Sequence, residues 1–298
     1  MKPHVADWST KVRCARIVAQ DGTTVRITEH PVDLVMSNGQ VYRCDTGYEF
    51  TGYDDDASMA PGSFDLTGIL DHGITRDQLG SGVFDNARIY AFATSWKAPI
   101  EDEEPNALAF LGKTTLNDST YSTEVMSASD VLSQDVGRIY SPQCQWVLFD
   151  RHLGPTGDVI IASTRSRCTG PRSDPDGPNI DTFRVTGTIT AVTSQYQFQD
   201  SGRTEADDWF TAGEVLFTGG QNAGLAPIKI KQSTSGGQFY LHGGTYYMPQ
   251  IGDTYMMIPG CRLRLSEDCR DKFSNVINFG GQPHVPSTSE YTQVGRGS

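Results

Sequence analysis

The chain is built from short alternating segments separated by turn residues, and this pattern constrains its fold more than any other feature. Apolar and polar residues alternate over Val12–Val18 and Thr24–Thr28 around the turn pair Asp21-Gly22, and Asn38-Gly39 joins the next two segments. With 31 Gly and 15 Pro in 298 residues, the chain has many turn residues. We therefore predict an all-β fold with little helix.

Helix is predicted at only two places. Thr75–Leu79 precedes Gly80, which fits a short helix with a glycine stop, and Ser129–Gln134 is the second candidate. A break rich in Pro, Gly and charged residues follows at 165–180. Beyond it, six segments predict strands of a small barrel or sandwich. These are Phe183–Val192, Tyr196–Phe198, Glu214–Phe217, Pro227–Lys231, Phe239–His242 and Thr254–Ile258.

Charge and hydropathy limit the possible partners. The net charge of −12 argues against stable nucleic-acid binding, which needs a basic surface. No apolar stretch approaches the roughly 20 residues of a membrane span, and no secretion signal is recognised at the N-terminus. We expect a protein of the reducing cytosol, in which cysteines are free or metal-bound rather than paired as disulfides.

Four of the six cysteines lie in polar, turn-rich surroundings, unlike cysteines that fill a core. They are Cys144, Cys168, Cys261 and Cys269. No Cys-x-x-Cys is present, so spacing alone leaves metal ligation and unlinked thiols as open alternatives. Four thiolates suit either zinc or an iron–sulfur cluster. Cys14 and Cys44 lie within strand patterns, and we predict that they fill the core.

Catalytic patterns are weak. The six histidines are scattered singly, and no Gly-x-Ser-x-Gly motif is present. A pair such as Cys261 and His284 would resemble a cysteine peptidase, although His284, flanked by prolines, favours a structural role. Acidic runs such as Asp207-Asp208 lack calcium-loop spacing and favour solvated loops. Tyr246-Tyr247 raises the alternative of a receptor- or sugar-binding module, against strand-edge packing.

The C-terminal segment 259–286 carries a distinctive series of motifs. A Gly-Cys pair at Gly260-Cys261 is followed by Cys269-Arg270, then by Lys-Phe-x-Asn, Asn-Phe-x-Gly and Pro-His-x-Pro. This series resembles the tail hub proteins of long-tailed phages and gene transfer agents, known as the conserved phage BR0599-type family. Similar segments occur at 136–140, 209–215 and 219–224, and the resemblance is densest over 205–286.

The resemblance implies a structural protein of the virion tail tip, assembled in the host cytoplasm. It implies an N-terminal β-barrel hub domain that forms a homotrimer and closes the tail tube, and a smaller C-terminal β-barrel or sandwich with a four-cysteine cluster site. Expected partners are the distal tail protein, the tape-measure protein and a central fibre or tail-tip protein. A tail-associated cell-wall peptidase of cysteine type is the alternative function.

The resemblance also implies a ligand set and a division of the chain. Cys144, Cys168, Cys261 and Cys269 match the family's four cysteines and would hold an iron–sulfur cluster of the [4Fe–4S] type, with zinc as the alternative. An insertion at about Arg151–Ser163 separates the first two cysteines, which usually lie close together in the family. The predicted division is a hub domain at 1–140, a cysteine-bearing connector at 141–182, a small barrel at 183–258, a cluster segment at 259–286 and a disordered tail at 287–298.

Overall fold

The structure is a computed structural model in which the chain divides into two compact units, residues 1–135 and 136–298. It describes residues 9–50, 63–97, 100, 104–127, 140–149, 151–153, 159–161, 168, 178 and 180–284. The predicted helix at 129–134 and the predicted tail at 287–298 lie outside these ranges.

The first unit is a curled antiparallel sheet of seven strands, with a separate hairpin formed by β3 and β4. The strand order is β2-β1-β7-β8-β9-β6-β5. The strands are β1 (Lys11–Val18), β2 (Thr24–Thr28), β3 (Leu34–Val35), β4 (Val41–Tyr42), β5 (Glu49–Phe50), β6 (Ser63–Ile69), β7 (Arg88–Ser95), β8 (Glu104–Leu116) and β9 (Thr120–Ser127).

The predicted turns of this unit are confirmed. Gly22 and Gly39 have φ angles of 90° and 79°, which glycine adopts without the steric cost of a Cβ atom. Irregular register within the β7–β8 and β8–β9 pairs bends the long strand β8. The predicted helix is confirmed as α1 (Arg76–Ser81), which begins with a capping box between Thr75 and Gln78. The predicted stop at Gly80 was wrong, because Gly80 lies within α1 and the helix ends at Gly82, which has a φ angle of 85°.

The core of the first unit includes a cluster between sheet strands and the β3–β4 hairpin. Buried residues of β1 and β7 pack there against Leu34, Met36 and Tyr42. Cys14 is part of this cluster with 1% of its surface exposed, which confirms its predicted core role. Cys44 lies in a bend after β4 and is partly exposed, so the core prediction was wrong for this residue.

A pair of tyrosines links β9 to the segment before β5. The hydroxyl of Tyr121 donates a hydrogen bond to that of Tyr48, and the rings meet edge to face with centroids 6.2 Å apart. Gly68 leaves room for the Tyr121 ring, since a Cβ atom there would lie 2.7 Å from it. Burial of the hydroxyl raises the pKa of Tyr48 to about 12, and burial also raises the pKa of Tyr121.

These shifts predict a loss of stability at alkaline pH. Between about pH 10 and 12 the unfolded chain releases both phenolic protons while the folded chain keeps them. The free energy of unfolding therefore falls as pH rises, by up to about 1.4 kcal/mol per pH unit for each tyrosine. Urea unfolding of the wild type and of the Tyr48→Phe/Tyr121→Phe double variant should show a shallower pH dependence for the variant. Equal slopes would contradict the assignment.

The second unit contains another antiparallel sheet of seven strands, ordered β12-β18-β15-β16-β17-β14-β13. A separate hairpin consists of β10 (Arg151–Leu153) and β11 (Val159–Ile161). The sheet strands are β12 (Val185–Thr188), β13 (Ala191–Ser194), β14 (Gln197–Gln199), β15 (Glu214–Phe217), β16 (Ile228–Ser233), β17 (Gln238–Leu241) and β18 (Thr254–Ile258). A short helix, α2 (Ile180–Phe183), precedes β12.

The predicted strand Phe183–Val192 is the main correction to the fold. It comprises the end of α2 and two strands, β12 and β13, which lie at opposite edges of the sheet and are joined by only Ile189 and Thr190. Ile189 donates to the carbonyl of Asp253 and Thr190 to that of Gln199. The sheet therefore curls until its two edges meet at this connection, which confirms an all-β fold of curled sheets.

The inside of this curled sheet is filled mainly by aromatic and aliphatic side chains. Phe198 lies at the centre, with ring centroids 5.2 Å from Phe239 and 5.6 Å from Tyr255. A second cluster lies where the cysteine-bearing segments pack on the sheet. Its buried members are Phe149, Ile180, Leu216, Ile258 and Phe273. In the described part of the chain, no helix is both long and apolar enough to cross a bilayer.

Candidate functional site

Four cysteines from separate parts of the second unit line one small pocket, called here the thiol pocket. Its cysteine residues are Cys144, Cys168, Cys261 and Cys269. The remaining lining residues are mainly apolar and aromatic: Trp146, Leu148, Phe273, Asn275 and Phe279. The cavity volume is about 10 Å³, which is roughly the space of one water-sized sphere.

Cys144 reaches the pocket because its loop forms hydrogen bonds with two segments near the C-terminus, one at Leu263 and one at 280–282. The Cys144 amide donates to the carbonyl of Leu263 at 2.9 Å, and the Gln282 amide donates to Ser141 at 2.8 Å. The Gly280 amide donates to Cys144 Sγ at 3.3 Å. Gly280 also lies against the Trp146 indole so closely that a Cβ atom there would overlap the ring. These contacts fix the Cys144 thiol from both sides.

Cys168 joins the same pocket in spite of the insertion that precedes it. Part of the insertion folds as the β10–β11 hairpin, in which Arg151 pairs with Ile161. The Phe149 amide donates to the Cys168 carbonyl at 2.9 Å, which brings the chain back to the pocket. Because the hairpin returns the chain towards its starting point, the insertion lengthens the connection between Cys144 and Cys168 without removing Cys168 from the pocket.

Cys261 follows the end of β18 at a place where two backbone segments cross in close contact. A Cβ atom on Gly260 would overlap backbone atoms of Ala212 and Gly213, so this approach requires glycine. Leu263 has a φ angle of 65°, and its amide donates to Cys261 Sγ at 3.3 Å. The glycine and the turn together direct the Cys261 thiol.

Cys269 lies on a π-helical turn, Leu265–Arg270, and is connected to Cys168 through Asn275. The thiol of Cys269 donates to the Asn275 carbonyl at 3.1 Å, and Asn275 Nδ2 donates to Cys168 Sγ at 3.6 Å. Asn278 Nδ2 donates to Asn275 Oδ1 at 2.8 Å and orients the amide. Asn275 therefore holds two of the four cysteines at their observed places.

A buried carboxylate shapes the loop between Cys261 and Cys269. Asp268 is 3% exposed and accepts hydrogen bonds from the Arg262 amide at 3.2 Å and from Arg264 Nε at 3.0 Å. Arg262 also pairs with Asp208 at 2.9 Å, so this residue of the Asp207-Asp208 run has a specific partner and is not only solvated. The ion pairs fold the loop back on itself and bring its two cysteines together.

The thiols influence one another's protonation. The Cys168 thiol donates to Cys144, which lowers the pKa of Cys144 and raises that of Cys168. Burial raises the pKa of Cys261, and it raises the pKa of Cys269 to about 11. One thiolate is thus stabilised by its neighbours, while further negative charge is opposed by burial and repulsion. A cation within the pocket would instead favour the deprotonated form of the thiols, since metal ligation deprotonates them.

The structure does not show a metal site at the four thiols. Among the described residues, no group of three or more His, Cys, Asp or Glu side chains is arranged to hold a metal ion. The four-cysteine cluster site is therefore not established by this geometry. The structure brings the four predicted residues to one pocket, and ligation by them stays a prediction.

The other candidates lie elsewhere. His284 is exposed in a turn, and no histidine is among the residues that line the thiol pocket in the described ranges. The rings of Tyr246 and Tyr247 meet edge to face with centroids 4.9 Å apart, and both residues are half-buried. The sequence patterns did not identify Asp268, Lys272 and Asn275 as site residues. A signal was nevertheless present in the Cys-Arg-Asp-Lys-Phe and Lys-Phe-x-Asn motifs that adjoin or contain them.

Comparison with known proteins indicates the class of protein to which the chain is similar. A family model described as "Baseplate hub protein, N-terminal attachment domain" matches residues 4–152, half of the chain, and one described as "Phage conserved hypothetical protein BR0599" matches 208–289. A chain in a solved structure titled "Virion of native gene transfer agent (GTA) particle" matches with a TM-score of 0.75 and 23% identity, over 99% of this chain and 96% of that one. No curated protein matches significantly.

These matches define the class as a structural protein of the phage tail baseplate. The chain belongs to the phage baseplate hub protein family, whose N-terminal attachment domain corresponds to its first unit and the beginning of its second. The likeness to the gene transfer agent chain supports the same fold over nearly the whole length. The expected family membership is thereby confirmed.

Proposed function

We propose that this protein is the hub of a tail tip, in which three copies close the end of the tail tube. The first unit would attach the hub to the distal tail protein, and the hub would also contact the tape-measure protein and a central fibre that carries receptor-binding proteins. Membership of the baseplate hub family supports this role. The net charge of −12 suits a tube that passes DNA without retaining it.

We further propose that the thiol pocket holds a structural iron–sulfur cluster of the [4Fe–4S] type. The observation that carries this proposal is the convergence of four cysteines, spread between positions 144 and 269, on one pocket. When bound, such a cluster would cross-link these segments through four thiolates. The link would connect the loop before the second sheet to the segment after it, and so hold together the ends of a long stretch of chain.

The residues around the pocket fit a thiolate-bound group. Amides of Leu263 and Gly280 and the side-chain amide of Asn275 donate to cysteine sulfur atoms. Donors of this kind stabilise negative charge on sulfur and tune a bound group. Trp146, Phe273 and Phe279 also line the pocket and would shield a bound group from water. The role of these residues is to orient the thiols and to shield them.

Zinc is the second candidate, because the donor set of the thiol pocket consists of four cysteines. Four cysteines satisfy the tetrahedral preference of structural zinc. The donor chemistry is therefore compatible with both groups, and the family resemblance favours iron.

Metal analysis of protein purified without oxygen tests the proposal. We expect iron and acid-labile sulfide in equal amounts, close to four of each per chain, and a brown protein with broad visible absorption. Light scattering on the same sample should give the mass of three chains. Colourless protein with one zinc per chain would overturn the iron assignment in favour of zinc. Protein without either metal would overturn the proposed role of the thiol pocket.

A further inference from the structure

Lys272 is a half-buried cation beside the thiol pocket. Its ammonium group donates to the carbonyl of Trp209 and, at 2.7 Å, to the carbonyl of Gly260. It also lies 5.1 Å from the ring centroids of both Trp209 and Phe273. Two carbonyls and two aromatic faces thus surround the charge.

These contacts connect three segments that build the pocket. Trp209 belongs to the loop before β15, Gly260 immediately precedes Cys261, and Lys272 follows the turn that carries Cys269. The bond to Gly260 acts at the place where that glycine crosses the backbone of Ala212 and Gly213. Lys272 is therefore placed to hold the Cys261 backbone at a fixed distance from the Cys269 turn.

Among the described residues, no carboxylate directly contacts the ammonium group of Lys272. Asp268 is the largest favourable charge acting on it, but the carboxylate of Asp268 is bonded to Arg262 and Arg264. Burial lowers the pKa of Lys272 to about 8, which leaves the amine mainly protonated at neutral pH. A partly desolvated cation without a bonded counter-ion is stabilised when negative charge lies nearby. The thiol pocket is where such charge would develop.

We propose that Lys272 is a positioning residue of the thiol pocket, which holds the Gly260-Cys261 backbone in place and offsets the negative charge of the thiolates when a metal is bound. This inference rests on the proposed metal-binding role of the four cysteines. The two ends of the Lys-Phe-x-Asn motif then have separate functions. Lys272 supports Cys261, and Asn275 supports Cys168 and Cys269.

Zinc binding by the full-length, metal-free protein tests the charge. Competition with a chromophoric chelator measures the affinity for Zn²⁺ in the wild type, Lys272→Met, Lys272→Arg and the control Lys231→Met, which removes an exposed lysine on β16. We expect about 10-fold weaker binding for Lys272→Met, as for other groups that support metal ligands. Binding by Lys272→Arg and Lys231→Met should stay within about 3-fold of the wild type. Equal affinity of Lys272→Met and wild type, or equal losses in Lys272→Met and Lys272→Arg, would overturn the charge role.

Hydrogen–deuterium exchange of the same metal-free proteins tests the backbone role separately. We expect faster exchange in peptides that cover 259–264 for Lys272→Met, with β16 and β17 unchanged. Unchanged exchange at 259–264 would overturn the positioning role. If wild-type protein binds neither iron nor zinc, the proposed function fails, and the charge role fails with it. Exchange at 259–264 still decides whether Lys272 holds the Cys261 backbone.

Discussion

Replacing Cys269 by serine is expected to remove most of the bound metal, because loss of a ligand should weaken the affinity by about 100-fold or more, beyond the 10- to 100-fold effect of removing a group that only supports a ligand. The Cys269 thiol lines the pocket and is joined to Cys168 through Asn275. Without it, three thiolates would remain, and an iron–sulfur cluster or structural zinc requires four ligands. Iron, sulfide and zinc contents of the anaerobically purified variant measure the effect.

The matched control for this experiment is Cys44→Ser. Cys44 is also a free cysteine, but it lies partly exposed in the first unit. We expect this variant to keep the metal content of the wild type. A Cys269→Ser protein that retains full metal would show that Cys269 is not a ligand. Loss of metal in both variants would point to a general effect on folding.

Substituting Gly260 by alanine is expected to destabilise the second unit by about 3 kcal/mol, at the upper end of the usual cost of overpacking. The added methyl group would overlap backbone atoms of Ala212 and Gly213, which cannot move aside as a flexible side chain would. The crossing also places Cys261 at the pocket, so the displaced backbone should weaken metal binding as well. Urea unfolding of the metal-free protein, followed by tryptophan fluorescence, measures the free energy of unfolding.

Gly243→Ala provides the matched control for the glycine substitution. A Cβ atom at Gly243 would meet no atom within 4 Å, so we expect a change within about 0.5 kcal/mol. If Gly260→Ala were as stable as Gly243→Ala, the close crossing of the two backbone segments would not exist in solution. The comparison removes any general effect of replacing glycine by alanine from the measurement.

Local patterns in the chain were sufficient to predict most of the strands. Alternation and the pairs Asp21-Gly22 and Asn38-Gly39 predicted the first hairpins, because a turn with positive φ and a period of two depend on neighbouring residues only. The same reasoning failed for Phe183–Val192. A sequence pattern cannot show that a chain leaves one edge of a sheet and enters the other edge two residues later, because that depends on strands distant in the chain.

The four cysteines of the candidate site were predictable as a set, whereas their arrangement and the residues that support them were not. The polar surroundings of four cysteines, together with the family motifs, identified Cys144, Cys168, Cys261 and Cys269 as a set. The supporting contacts of Asn275 and Lys272 could not be derived, because each joins segments that only folding brings together.

An all-β chain of the phage tail hub type with four cysteines in unusual surroundings could be predicted from the sequence, because turns, alternation and motifs are local properties. The fold is needed to show that these cysteines meet in one pocket and that the inserted hairpin leaves Cys168 there. The fold also reveals the crossing at Gly260 and the contacts of the half-buried Lys272 ammonium group. Such contacts depend on how distant segments pack, and spacing along the chain does not specify that packing.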